Sequence, residues 1–295
     1  MIEALIIFGA ISGGTLALLA LGFTLIYGVA RVVNLAHGTL FMLGAYVFFA
    51  LTSPPPFGVF QLGLLPAAVV TVIFVGIVGT IFYRLAIHPV VGDLIAVLVI
   101  TVGAILIFQH LIVIEFGSKG WPVPSLVSGV ATILGVKLKY SQIFAFVISL
   151  VLFACIWMFV RKSKVGTAMQ AIAQDREVAM LMGINTERLY MLTMAISSSL
   201  AAIAGILIIS STSGRVDPYI WSDPLVMSFA IVILGGLGSI KGTLIGAFII
   251  GYANVACIYL VPGGMTLGAA VPMVIMLIIL LVRPKGLFGK KIEFE

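Results

Sequence analysis

Charged residues in this 295-residue chain sit only in the gaps between long uncharged runs, and that distribution fits one broad class, a polytopic membrane protein. With 62% hydrophobic and 9% charged side chains, there is too little polar surface to cover a water-soluble globule. A helix that crosses the hydrocarbon core needs about 20 apolar residues. Charges and Pro/Gly clusters mark nine such segments, near 3–28, 36–52, 63–86, 93–114, 140–160, 190–211, 224–239, 242–260 and 268–282. The expected fold is therefore all-α, one transmembrane domain over 1–295 with about nine spans. Met1-Ile-Glu3 lacks the basic start of a signal peptide, so the first run is read as a retained span.

Basic residues give the orientation. The island from Arg161 to Arg188 and the tail Arg283, Lys285, Lys290 and Lys291 belong on the cytoplasmic side, which demands an even number of crossings between them. The stretch 224–260 must then cross twice, reversing at Gly235-Gly-Leu-Gly-Ser-Ile-Lys-Gly242. With the N-terminus outside, twelve Lys and Arg fall inside and four (Lys119, Lys137, Lys139, Arg215) outside. The alternative is eight spans, with 224–239 only dipping into the bilayer. In the nine-span scheme the outer face carries Thr52–Gly58, Glu115–Lys139 and Ser213–Asp223. Their aromatics suit the headgroup layer or a docking face for a soluble protein. The net charge of +6 lies in short loops beside spans, so it points to the membrane and not to nucleic acid. Cys155 and Cys257 lie in apolar runs with no metal-ligand spacing and read as small packing residues.

Three local patterns stand out. Within the island, Thr167–Met182 reads as a short amphipathic helix, apolar at Met169, Ile172, Ala173, Ala179, Met180 and Met182 and polar at Gln174, Asp175 and Arg176. Gly183 would end it and Asn185 would cap the next helix. An interfacial linker lying on headgroups has the same pattern. Second, Asn34, His37 and Gly38 stand where the first uncharged run ends and a short second one begins. A late-starting helix exposes N–H groups to a carboxylate in a pathway; alternatively Asn34 caps that helix and His37 lies at the interface. Third, Gly235, Gly236 and Gly238 form a turn, a close-packed seam or a gate.

Glu177, Ala179 and Gly183 fill the first, third and seventh places of the Glu-Ala-Ala-x-x-x-Gly signature with which ABC importer permeases dock on their ATPases; Val178 departs from it, and no Leu-Pro follows. Val33-Asn-Leu-Ala-His-Gly38, Met42-Leu-Gly-Ala-Tyr46, Met182-Gly-Ile-Asn-Thr-Glu-Arg188 and Leu234-Gly-Gly-Leu-Gly-Ser-Ile-Lys-Gly242 occur in that order. Together they resemble the permease subunits of binding-protein-dependent branched-chain amino acid ABC transporters, from about Gly14 to Gly286. The resemblance implies a heterodimer with a second, homologous permease subunit in the cytoplasmic (inner) membrane, two ATP-binding subunits and an extracytoplasmic solute-binding protein. Members of the family also move urea, short amides and aromatic acids. It assigns ATPase coupling to the loop 161–189, through Asp175, Glu177, Ala179, Gly183 and Asn185. The helix break and the glycine cluster themselves place an expected translocation pathway at Asn34, His37, Gly38, Gly235, Gly236 and Gly238.

Other classes fit less well. There is no phosphate loop, since Gly289-Lys-Lys is the sole Gly-Lys pair, so the chain does not hydrolyse ATP. An ion-coupled carrier keeps an acid inside its spans, whereas all ten here lie in loops, tails or helix ends. An intramembrane enzyme would need a nucleophile with a base or a metal set at mid-depth. His37, His88 and His110 lie near predicted span ends, and Ser197, Ser198 and Ser199 read as helix-bonding hydroxyls. No catalytic residue, metal or cofactor is expected.

Overall fold

The structure, a computed structural model, describes residues 2–54, 58, 61–212, 214–268, 270–283 and 286–288. The expected positions of Pro55, Pro56, Phe57, Ser213, Lys285, Lys290 and Lys291 fall outside these residues. The helices are α1 (Ile2–Ala30), α2 (His37–Thr52), α3 (Leu64–Phe82), α4 (Leu94–Phe116), α5 (Tyr140–Lys162), α6 (Lys164–Gln174), α7 (Arg176–Leu181), α8 (Thr186–Ser211), α9 (Ser222–Gly235), α10 (Ile240–Leu260), α11 (Gly264–Leu267) and α12 (Ala270–Val282). Six of them (α1, α3 with its extension to Val90, α4, α5, α8 and α10) are long and apolar enough to cross a membrane. The shorter apolar helices α2, α9 and α12 stand where the other three spans are expected. The chain is thus a mostly helical, polytopic membrane protein.

α1 is the axis of the bundle. Every residue from Gly13 to Ile26 is buried, as expected of a helix that is apolar on all sides. α5, α8, α9 and α10 pack around it. Two serines of α8 hold neighbouring helices: Ser197 Oγ donates to the Gly22 carbonyl (2.7 Å) and Ser199 Oγ to that of Val72 (3.3 Å), while Ser198 Oγ donates within α8 to the Met194 carbonyl (2.6 Å). At the other side of α1, Thr24 and Thr243 share a buried hydrogen bond of 2.6 Å.

The two ends of the bundle differ. One gathers the end of α1, the α3–α4 connection, α6 and α7, and the α9–α10 turn. There α3 passes into a π-helical turn, Tyr83–Ile87, and a short 3₁₀ turn, His88–Val90, because Pro89 cannot continue the helix. The opposite end carries two small sheets that an all-α expectation omits. β1 (Trp121–Pro122) pairs with β4 (Arg215–Val216), and β2 (Val130–Ile133) with β3 (Val136–Lys139) across the left-handed pair Leu134-Gly135. Lys139 Nζ ties this end together by donating to the Thr212 carbonyl (2.6 Å). Cys155 is exposed on the outer face of α5, against the expectation that it packs inside.

Candidate functional site

The island folds as two helices, not one. Ser163 Oγ accepts from the Gly166 amide to start α6, and α6 turns Gly166, Met169 and Ile172 inward. At Asp175 the backbone becomes extended, and its Oδ1 accepts from the Val178 amide (3.0 Å) to begin α7. This interruption resets the helical phase. Met169, Ile172 and Ala179 face inward as expected, but Met180 and Met182 do not. Val178 is 52%, Leu181 85% and Met182 79% exposed, so the end of α7 presents an apolar edge with Glu177 beside it.

Gly183 closes α7 with φ +81°. Its amide donates to Met180, and the Ile184 amide to Ala179, which is the Schellman arrangement of a helix end. Asn185 Oδ1 then accepts from the Arg188 amide (3.0 Å) to start α8. Asp175, Glu177, Ala179, Gly183 and Asn185 are therefore brought together on one elbow.

That elbow is tied to three spans. The Arg31 guanidinium, on a backbone in the left-handed region (φ 53°), reaches the Ala173 carbonyl at 3.5 Å. The Arg176 guanidinium lies 5.7 Å from the centre of the Tyr190 ring on α8, and Tyr190 meets Tyr83 of the π-turn edge-on at 6.4 Å. Arg31, Tyr83 and Tyr190 carried no sequence signal for this role, because they come together only through the tertiary fold.

Asn34, His37 and Gly38 lie deep inside the bundle. After Arg31 the chain leaves helical geometry and turns back, and Val32, Asn34 and Ala36 are buried. His37 Nε2 donates to the Leu19 carbonyl (3.0 Å), about 16 Å back along α1 from its end at Ala30. Its Nδ1 lies 3.5 Å from Ser197 Oγ. The simpler reading of this pair is corrected. Ala36, not Asn34, occupies the cap position, and His37 is fully enclosed instead of interfacial. Asn34 Nδ2 points to Met194 Sδ (3.8 Å), and its Oδ1 has no partner among the described residues. Irregular backbone at membrane depth is tolerated where protein encloses it or where it lines a cavity.

α9 begins at a similar depth. Its Phe229 meets Phe23 of α1 edge-on (5.7 Å), and Ser222 lies about 10 Å further back along α9. A Cβ at Gly38 would stand 2.8 Å from both the Trp221 carbonyl oxygen and Leu225 Cβ. The first turns of α2 and α9 therefore abut. α2 runs from there towards the sheet end, where Phe49 stacks on Trp121, and α9 runs the other way. Trp221 and Leu225, which complete this junction, looked in the sequence like ordinary interfacial and apolar residues.

Gly235, Gly236 and Gly238 are not part of that junction. They lie at the far end of α9, about 20 Å away. Gly236 (φ 98°) and Gly238 (φ 82°) make the turn into α10, while Gly235 is a seam where backbone meets the backbone of Gly242. The Leu287 and Phe288 amides donate to the Leu234 and Gly235 carbonyls, so the tail satisfies the end of α9.

The protein family described as the permease component of the branched-chain amino acid transport system matches residues 5–281. The high-affinity branched-chain amino acid transport system permease protein LivH of Salmonella typhimurium is 32% identical over 96% of this chain and 94% of its own length. BraD of Pseudomonas aeruginosa, which carries the same description, is 30% identical over 96% and 94%. The probable branched-chain amino acid transport permease protein LivH of Methanocaldococcus jannaschii is 30% identical over 97% and 93%.

Proposed function

The chain belongs to the branched-chain amino acid transport system permease family, and from that membership we propose that it is the membrane-embedded subunit of a binding-protein-dependent ABC importer for hydrophobic, branched-chain amino acids. Its partners in this reading are a homologous second permease subunit, two ATP-binding subunits that hydrolyse the ATP, and a solute-binding protein outside. It acts in the cytoplasmic (inner) membrane with its N-terminus outside and its C-terminus inside. The observation that carries the reading is the match to permeases along nearly the whole chain. The gathering of Arg31, Arg161, Arg176 and Lys241 around the cavities at one end supports the orientation. The reversal at 236–239 supports nine membrane elements over eight, with 31–36 and 217–221 as the non-helical parts of α2's and α9's crossings.

In mechanism, ATP-driven closure of the ATPase pair displaces the elbow around Asp175–Asn185. Arg31, Arg176 and Tyr190 pass that movement to α1, α8 and, through Tyr83, to α3. The substrate is a zwitterion whose aliphatic end costs little to desolvate, while its charged ends need polar partners. The abutting first turns of α2 and α9 offer backbone N–H groups and positive dipole ends suited to its carboxylate.

Extraction of the assembled complex in mild detergent tests this. Stoichiometric ATPase subunits and ATP-dependent leucine uptake in liposomes are the expected result; uptake by the isolated chain on an ion gradient would overturn it. A second expectation concerns Gly183. No atom of the described residues lies within 4 Å of a Cβ placed there, so backbone conformation and not bulk is what a substitution disturbs. A β-branched residue is strained in the left-handed region by about 1–2 kcal/mol, whereas asparagine tolerates it. Gly183→Val should therefore lower uptake per ATP hydrolysed several-fold and Gly183→Asn should not, as measured in proteoliposomes.

A further inference from the structure

We propose that the groove between α5 and α10 binds the headgroup of an anionic phospholipid from the leaflet on the side of the α6–α7 elbow. Both helices lean on α1 at adjacent positions, Gly14 facing Phe146 and Gly13 facing Phe248. They leave a cavity of about 380 Å³ whose floor is α1, from Thr24 to Val29, and whose roof is α6. Its lining includes two cations, Arg161 and Lys241, and no acidic residue among the described residues. The positive charge there therefore lacks a compensating group in the lining, and the first turn of α10, which carries Lys241, adds its dipole.

The walls also suit a lipid. The Arg161 guanidinium lies 5.6 Å from the centre of the Trp157 ring, within the last two turns of α5, where an aromatic beside a cation suits the headgroup layer. Beyond the groove, towards the bilayer centre, both helices carry exposed apolar side chains, among them Val147 and Val151 on α5 and Ile245 and Ile249 on α10. A free phosphate would use only the cations, whereas a phospholipid also uses the apolar corridor. Basic pockets between spans on the cytoplasmic side are where anionic headgroups gain most from membrane electrostatics. Because α6 roofs the cavity through Met169 and Gln170, an occupant would brace the helix that leads into the elbow.

The sidedness rests on the orientation proposed above, but lipid binding does not depend on transport, so the two ideas fail separately. The test is native mass spectrometry of the full chain in a neutral detergent, titrated with phosphatidylglycerol or phosphatidylcholine. Phosphatidylglycerol should be retained at least about tenfold better, Arg161→Gln with Lys241→Gln should abolish the preference, and Arg161→Lys with Lys241→Arg should keep it. Lys137→Gln with Lys139→Gln, at the opposite end, should leave it unchanged. Equal retention of both lipids, or a preference that survives loss of both cations, overturns the proposal. So does displacement of phosphatidylglycerol by millimolar inorganic phosphate, which marks a plain anion site, or burial of Trp157 against the second permease subunit in cross-linking.

Discussion

Replacing Leu181 and Met182 together with glutamate should detach this chain from the proposed ATPase subunits, with retention in pull-down falling on the order of a hundredfold or more. Burying a Leu or Met side chain in a partner's cleft is worth about 1.5–3 kcal/mol each, and each 1.4 kcal/mol is a factor of ten in affinity. Glutamate removes that contribution and adds a carboxylate that has to be desolvated. Both side chains project from the end of α7 into open space, so membrane insertion and the yield of folded protein should not change. The inward-facing Ala179 is the internal control, because Ala179→Glu attacks the elbow's own packing and should lower thermal stability as well. Unchanged ATPase retention in the double variant would remove the docking role from this edge, and ATP-driven uptake would then have to be coupled elsewhere.

Not all of this was written in the pattern of charges. The uncharged runs placed the six long apolar helices and the shorter α2, α9 and α12, since a span that cannot tolerate charge shows itself one residue at a time. Gly183 and Asn185 were readable as helix punctuation for a similar reason, because cap chemistry is local. The break at Asp175 left a signal that was outvoted: Asp175 is a good cap, but the apolar spacing across it mimics one continuous helix. The exposure of Met180 and Met182 follows from that break and reverses what the periodicity implies. Arg31's reach to Ala173 and the Arg176–Tyr190–Tyr83 chain join residues far apart in sequence, and no single-chain pattern announces them. Depth was hidden for the same reason. Residues 31–36 read as a break between two uncharged runs with His37 at the membrane interface, yet hydrogen bonding from His37 to Leu19 places them deep in the bundle. The glycines split along physical lines: the two with positive φ make a turn that any Gly-rich stretch suggests, while Gly38 and Gly235 are required by close neighbours that only the fold supplies.

That depth gives the second large expectation. Gly38→Val should reduce leucine uptake at least about tenfold while the variant still assembles with its ATPases. At 2.8 Å the Trp221 carbonyl is backbone and cannot rotate away, so a side chain at residue 38 must push the first turns of α2 and α9 apart. Overpacking of this kind costs about 1–3 kcal/mol, which a bundle centred on an α1 enclosed from Gly13 to Ile26 can absorb without unfolding. What it should not absorb is the geometry of the two helix starts, where the carboxylate of a zwitterion is expected to lie. The loss should therefore appear as a raised KM for leucine, and ATP hydrolysis and thermal stability should change far less. Gly38→Ala places only the Cβ in contact and should fall between wild type and valine. The elbow variants provide the contrast, since they remove the coupling and leave the junction intact. If Gly38→Val transports leucine with an unchanged KM, the convergence of α2 and α9 is a packing solution alone, and the carboxylate is held by residues of the second subunit or elsewhere along the bundle.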